Sequence, residues 1–449
     1  METFIYPLHQ SIGAPSVPVV EVGTEVRRGE MLAAAPEGKL GCPIHASVTG
    51  RVAAVTADAI TVEAEDVPVS MTDVPFEKLA PAAPLDMVRA SGLVGLGGAG
   101  FPAAVKYAKP LGPSGTVIMN AAECEPILSH NIDALEQHPE AALRGLAIAM
   151  DLAGTPHGVI AIKGIHTKAI AALEHALSSS LPGMTGKDIR LHKLKNIYPV
   201  GEERAIVREV LGTLLDVTDL PSAAGAIVSN IETLTRMHEA VDLGKPLMDK
   251  DLTVAGKLEK HMGETLIYHD VPIGRMVSSM LDIAGGTMAE DSYGELLMGG
   301  PFTGHRTTPG APIVKTTGGI IVTECFPKAP PQIGLLVCAC SAAEARMREV
   351  AASLGSTVVG IEYCKQALPV KAARKCKNPG ICPGQVAKIL ALKKAGAQAV
   401  LIGNCTDCTN TVMTCAPALG LPVYHVTDQA LRSVNQKLIR KIHTPSQLR

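Results

Sequence analysis

Tryptophan is absent from this 449-residue chain, and aromatic residues make up only 3% of it. A core without aromatic bulk is built from Ala, Val, Ile, Leu and Met, which suits α/β layers around parallel strands. A surplus of charge of either sign is missing as well. The formal net charge is −2, and no long basic run is present to neutralise phosphates, so nothing supports nucleic-acid binding. Long apolar runs are also lacking: "GLAIAMDLAGTPHGVIAI" and "IGLLVCAC" are broken by Asp, Pro or turns short of membrane-spanning length. The opening "METFIYPLHQ" has neither the basic nor the apolar segment of a secretory leader. A cytoplasmic protein with no membrane span is expected.

The length implies several domains. The 43 glycines and 32 prolines are spread along the chain, so they mark turns and not low complexity. Of the 11 cysteines, eight fall between residues 338 and 415 (Cys338, Cys340, Cys364, Cys376, Cys382, Cys405, Cys408 and Cys415). In a large chain without a leader, such clustering points to metal ligands or redox thiols. Cys42, Cys124 and Cys325 are scattered.

Residues 1–80 alternate short Val-rich runs with turns, predicting an all-β module. "GTEVRRGE" followed by "HASVTGRV" resembles the barrel-sandwich hammerhead of biotinyl and lipoyl domains. The segment "EGKLGCPIHAS" lacks the usual setting of a modified lysine, which favours a docking module over a swinging arm. Residues 85–245 alternate strand-like and helix-like patterns, predicting a parallel sheet covered by helices. Residues 250–325 combine strands with one helix ending at Gly285-Gly286, a β-grasp-like unit. After the proline-rich "FPKAPPQ" linker, residues 333–449 read as a small four-strand doubly wound domain. Cys340, Cys364 and Cys405 are expected at the carboxyl ends of its strands, with Cys338 on the same side of its strand as Cys340.

"GLGGAGF" contains Gly95, Gly97 and Gly100 in the G-x-G-x-x-G pattern of a dinucleotide turn. Its context excludes that meaning. A helix and a bend precede Gly95 where a strand is required, Pro102 follows at once, and Asn120 stands where the acidic residue belongs. Consecutive small residues still let backbone N–H groups approach an anion, with Lys106 near in sequence. "NAAECEP" places Glu123 and Glu125 in a strand-end loop, "YPVGEERA" places Glu202 and Glu203 at a helix start, and "IVSNIETL" offers Ser229 and Asn230 in a further loop. Each has an ordinary structural explanation, because acids favour helix starts and Asn favours loops. Their joint order does not.

"GLGGAGFPAAVK…NAAECEP…YPVGEER…VSNIET" resembles the flavin- and NADH-binding region of the complex I flavin subunit family and of the related Rnf complex C subunits. The flanking hammerhead and "VAGKL…PIGRMVSSMLDIAGG…MGGPFTG" resemble the layout of Rnf C subunits and cobalamin reductases. The resemblance covers roughly residues 1–325. It implies an α/β multidomain fold: hammerhead (1–80), flavin-subunit-like α/β domain (85–245), SLBB-like β-grasp (250–325) and Cys-rich doubly wound α/β domain (333–449). It implies FMN and NADH held by Gly97, Gly98, Gly100, Phe101, Lys106, Asn120, Glu123, Glu125, Gly201, Glu202, Glu203, Ser229 and Asn230. Ala122, Ser229 and Leu96 depart from the residues common in the flavin subunits.

The tail lacks the C-x2-C-x2-C-x3-C-P repeats of Rnf C subunits. Its "VCAC", "EYCKQ", "KCKNPGICPG", "NCTDC" and "MTCAP" resemble the proline reductase-associated electron-transfer proteins of amino-acid-fermenting bacteria. Cys405 and Cys408 form C-x-x-C at a strand–helix junction, where a helix start lowers thiol pKa, and Cys338 and Cys340 form a second dithiol. Irregular spacing favours dithiol chemistry, with Cys364, Cys376, Cys382 and Cys415 as candidate ligands of a nearby [4Fe-4S] cluster. The expected function is electron transfer from NADH through flavin and cysteines to a partner reductase, D-proline reductase on the resemblance. The alternatives are a stand-alone cobalamin-reductase-like enzyme and a docking adaptor without flavin.

Overall fold

Val-rich runs at the amino terminus pair as their period of two requires. In the computed structural model, which describes residues 1–440 except Ser180 and Ala372, strand Glu2–Pro7 lies antiparallel to Ala59–Ala64. Gly50–Val55 and Glu25–Val26 complete that sheet, and a smaller sheet holds Val17–Pro18, Met31–Ala34 and Ile44–His45. Ile60, Val62 and Ala64 turn inward while Glu63 faces water, the alternation of a half-buried strand.

The next unit is a four-stranded parallel sheet in the spatial order Asp188–Leu194, His157–Lys163, Thr116–Ala121, Ala226–Asn230. Its central strands carry the buried apolar runs Val117–Met119 and Val159–Ile162 because helices cover both faces. Helices Pro139–Ala153 and Ile231–His238 pack on one side, and Glu203–Leu211 packs on the other. The chain builds the sheet outward from Thr116–Ala121 and then crosses back to add Ala226–Asn230 on its opposite side. Such a reversal opens a crevice at the carboxyl ends of the two strands.

One sequence expectation changes here. Ser229 and Asn230 are not in a loop: they end the strand Ala226–Asn230, which passes directly into helix Ile231–His238. Asn230 makes this abrupt junction possible, since its side chain caps the helix by accepting from the Glu232 N–H at 2.9 Å.

Residues 249–322 form a mixed five-stranded sheet. The hairpin Asp249–Gly256/Thr265–Pro272 is followed by helix Val277–Ile283, and Gly319–Val322 returns parallel to the first strand. The tail holds a second parallel sheet, ordered Thr357–Tyr363, Gln332–Val337, Ala399–Ile402, Val423–His425. Its direction also reverses, between Gln332–Val337 and Ala399–Ile402. Cys338 is correspondingly the first residue past its strand, and Cys340 lies in the turn beyond, so the two are not side by side on a strand. A hairpin, Ala367–Val370 with Ala373–Cys376, was not foreseen.

Buried ion pairs fix how the first three units meet. Arg28 reaches Asp249 through two hydrogen bonds of 2.9 and 2.6 Å, and Lys245 contacts the same carboxylate at 3.0 Å. Arg236 bonds Asp251 at 2.8 Å and Glu239 at 2.9 Å and also pairs with Asp270. Charges this deep are sustained only when each has its partner, so they select one relative placement of the units. Among the described residues, no helix is long and apolar enough to cross a membrane.

Candidate cofactor cleft and cysteine cluster

The crevice at the first reversal point is a cavity of about 530 Å³, within the range of small-molecule sites. Gly97 and Gly98 form one rim, Asn120, Glu123, Cys124, Glu125 and Gly201 the floor, and Asn230 and Glu232 the adjoining strand–helix junction. The opposite wall comes from the 249–322 unit and its neighbouring loop, including Gly299, Gly300, Thr303 and Thr316.

Close approach explains the glycine at 97. A Cβ there would lie 2.6 Å from the Asn230 amide nitrogen, so any side chain would displace the helix cap. Among the described residues, no protein group accepts from the backbone N–H of Gly97, Gly98, Ala99 or Gly100. Consecutive unbonded amides make an anion-binding concavity. Among the described residues, no lysine or arginine lines the cavity, so an anionic group there would rest on these amides. Asn131 Oδ1 and Glu123 Oε2 are buried at the cavity without hydrogen-bond partners. Free amides and orphaned acceptors in one cleft fit a polar cofactor carrying a phosphate.

Glu125 closes the cleft toward the tail. Its carboxylate accepts from the Phe302 N–H at 2.8 Å, the Thr303 N–H at 3.0 Å and the Thr303 hydroxyl at 2.6 Å. Burial nevertheless pushes its pKa up. Asn120 donates to the Gly201 carbonyl at 2.9 Å, and the Gly201 N–H donates to Cys124 Sγ at 2.7 Å. Burial raises the Cys124 thiol to about 11.

Other expected residues lie outside the cavity. Lys106 donates to Glu203 at 2.9 Å and to the Val228 carbonyl, so its charge is already matched. Glu202 caps helix Glu203–Leu211, accepting from the N–H groups of Arg204 and Ala205 at 2.9 and 3.0 Å. Ser229 is buried and bonds the Tyr107 hydroxyl at 2.8 Å. Phe101 is partly exposed, and Gly100, with φ 71°, forms the turn behind the rim.

The second reversal point gathers sulfur. Cys338 lies beside Cys340, Cys364 and Cys408; Cys408 also meets Cys382 and Cys405, and Cys340 also meets Cys376 and Cys405. The two expected groups, dithiols and cluster ligands, are therefore one network. Cys415 is not part of it. It lies two helical turns beyond Cys408, and among the described residues its Sγ hydrogen-bonds only carbonyls of its own helix, Thr411 and Val412. Hydrogen bonding with Cys340 holds Cys338 and Cys405 below the ordinary thiol range, while bonding to Cys338 pushes Cys340 and Cys408 above it. Thiolate donors converging in this way suit iron, alone or in an iron–sulfur cluster.

Sequence reasoning missed what joins the two sites. Tyr198 and Phe302 stack with centroids 3.6 Å apart and planes 1° from parallel, and both belong to the buried cluster that holds Cys338, Cys364, Cys405 and Cys408. The Tyr198 hydroxyl donates to the Cys340 carbonyl at 2.6 Å. Cys124, read as a scattered cysteine, both lines the cavity and packs on this cluster. Its place in "NAAECEP" was the available signal.

Known proteins match the same division. The RnfC barrel sandwich hybrid domain family matches residues 1–72, and the Nuo51 FMN-binding domain family matches residues 88–239. The chain is 32% identical over 349 residues to the C subunit of the Na(+)-translocating ferredoxin:NAD(+) oxidoreductase complex of Acetobacterium woodii, covering 74% of this chain and 75% of that relative. The chain belongs to the RnfC-like family of electron-transport oxidoreductases. Within that family it is also 30% identical over 358 residues to the cobalamin reductase PduS of Salmonella typhimurium, covering 78% of this chain and 72% of the relative. It is 32% identical over 356 residues to the C subunit of the ion-translocating oxidoreductase complex of Pseudomonas aeruginosa, covering 75% of this chain but only 44% of that longer relative. The FMN-binding match covers the glycine rim, the "NAAECEP" floor and the Asn230 junction of this RnfC-like chain.

Proposed function

We propose that this chain is a cytoplasmic electron-transfer protein working from NADH, with FMN and the C-terminal cysteines as its carriers, toward a partner reductase. The tail's resemblance makes D-proline reductase the preferred partner. The units are those read from the sequence: hammerhead 1–80, FMN/NADH domain 85–245, SLBB-like β-grasp 250–325 and cysteine domain 333–449. One observation carries the reading: Cys124 both lines the cleft and packs on the cysteine cluster, beside the stacked Tyr198 and Phe302.

When bound, FMN supplies the exchange between two-electron and one-electron chemistry. The chain's own residues do the rest. The amides of residues 97–100 would hold the phosphate of FMN, and Asn120, Glu123, Asn131 and Asn230 would face its polar edges. Glu125, fixed by Phe302 and Thr303, closes the cleft on the tail side, and the stacked Tyr198–Phe302 pair keeps water out of the gap before the cysteines. The cobalamin-reductase reading is the second one, favoured by the similarity to PduS along 72% of its length.

Protein purified without oxygen tests this. A flavin band at about 450 nm that bleaches with NADH is expected, and a chain without bound flavin would overturn the proposal. Cys405→Ser with Cys408→Ser is expected to abolish reduction of D-proline reductase while NADH oxidation by an artificial acceptor continues. Cobalamin reduction that survives the double substitution would select the second reading.

A further inference from the structure

The eight tail cysteines offer many possible sets of four, and their spacing ranks none of them. Their surroundings do. Cys338, Cys364 and Cys408 have Sγ atoms within 4.8 Å of one another. They come from three different chain segments: the end of strand Gln332–Val337, the end of strand Thr357–Tyr363, and the first turn of helix Thr406–Cys415. A fourth sulfur, Cys382, packs on the cluster that holds Cys408 and shares the Gln385 amide with it.

Around this set, donors point at sulfur. Gln385 Nε2 lies 3.3 Å from Cys364 Sγ, 3.5 Å from Cys408 Sγ and 3.7 Å from Cys382 Sγ. The Gly384 N–H donates to Cys382 Sγ at 3.3 Å, and the Thr411 hydroxyl sits 3.1 Å from the same atom. Gln385 is only 1% exposed, and its Oε1 has no partner. An amide placed so deep, with one end spent on three sulfurs and the other unsatisfied, is costly next to neutral thiols. Beside thiolates held by a metal, the same donors are the outer partners that orient ligands and stabilise their charge. Among the described residues, Cys340 and Cys405 have no side-chain amide beside them, and Cys376 instead donates to the Gln366 amide oxygen at 3.7 Å.

We propose that Cys338, Cys364, Cys382 and Cys408 form a tetrathiolate site for iron, with Gln385 as its positioning residue. Cys340, Cys376 and Cys405 remain outside it as thiols. Each ligand thiol releases its proton to solvent as its Fe–S bond forms. A single ion with metal–sulfur distances of about 2.3 Å needs sulfurs about 3.8 Å apart, which Cys338, Cys364 and Cys408 accommodate, with Cys382 moving in from outside that 4.8 Å set as the fourth ligand; a cube needs a wider spread and added sulfide. The site's use as an electron store rests on the electron-transfer reading above, but its metal content does not.

The test is anaerobic reconstitution of the full chain with ferrous iron, with and without sulfide, followed by iron and acid-labile sulfide analysis and absorption spectroscopy. Stoichiometric iron is expected, and the sulfide content reports whether one iron or a cluster is held. Cys364→Ser and Cys382→Ser are expected to lower bound iron at least tenfold, whereas Cys376→Ser and Cys415→Ser retain it. Gln385→Leu is expected to keep iron but shift the charge-transfer absorption. Retained flavin in each variant reports that the chain has folded. Equal iron loss in Cys376→Ser and Cys382→Ser, or retention of zinc in place of iron, would overturn the assignment. Iron failure with NADH-reducible flavin sinks this inference alone, while absent flavin sinks the functional reading alone.

Discussion

The Glu125 carboxylate occupies the space that a side chain at residue 300 would need: a Cβ on Gly300 would lie 2.4 Å from Glu125 Cδ. The contact joins the floor of the cleft to the wall that leads to the cysteines. Gly300→Ala is therefore expected to expel the carboxylate from its three donors, at about 1–3 kcal/mol in stability. FMN affinity should fall at least tenfold. Denaturant unfolding and flavin fluorescence titration measure the two effects, and unchanged affinity would show that Glu125 does not shape the cofactor site.

Gly97→Ala makes a parallel case on the opposite rim. The added methyl meets the Asn230 amide, which caps helix Ile231–His238. Loss of a cap costs about 1 kcal/mol, and the glycine-loop amides move with it. Weaker flavin retention with a small fall in Tm is the expected result. Asn230→Asp, which preserves the capping oxygen, should keep the stability.

His269 gives a pH dependence with a definite sign. It lies 3.3 Å from Asp251 and 2.9 Å from Asp133, and the hydrogen bond to Asp251 is the main cause of a pKa raised to about 9. A raised folded-state pKa stabilises the fold fully below the unfolded value of about 6.5, and the benefit fades as pH rises through about 9. His269→Asn should therefore unfold more easily than the parent chain at about pH 6 and match it closely at about pH 10. Urea midpoints at the two pH values decide it; a constant difference would exclude the linkage.

The aromatic stack separates packing from coupling. Tyr198→Phe preserves the rings and removes the hydrogen bond to the Cys340 carbonyl, an expected loss of about 1 kcal/mol. Phe302→Ala leaves a cavity and should cost about 3–5 kcal/mol. Both changes should slow reoxidation of reduced flavin by the tail, the second more strongly, in anaerobic stopped-flow measurements. A normal rate in Phe302→Ala would remove the stack from the route.

Local patterns were legible where burial is uniform along an element. The apolar runs at 116–121 and 157–163, the helical spacing of 139–153 and the strand-then-cysteine order of the tail all reappear as elements. Ser229 escaped because a polar residue inside a short strand looks like a loop until Tyr107 is seen to satisfy it. Lys106 was read as a cofactor contact because the sequence cannot show that Glu203 already neutralises it.

By itself, the sequence determined the layered α/β character, the rejection of the Rossmann reading for "GLGGAGF" and the resemblance of that loop to a flavin cradle. Each follows from composition or from the order of nearby residues. Strand order was decided only in three dimensions, because it depends on which distant segments pack. It places one reversal point at Asn120 and Asn230 and the other between Cys338 and Cys405, with Tyr198 and Phe302 between them. Cys124 and Cys415 exchange roles for the same reason: contact with the sulfur network is a property of the packed sheet ends, and proximity along the chain carries no information about it.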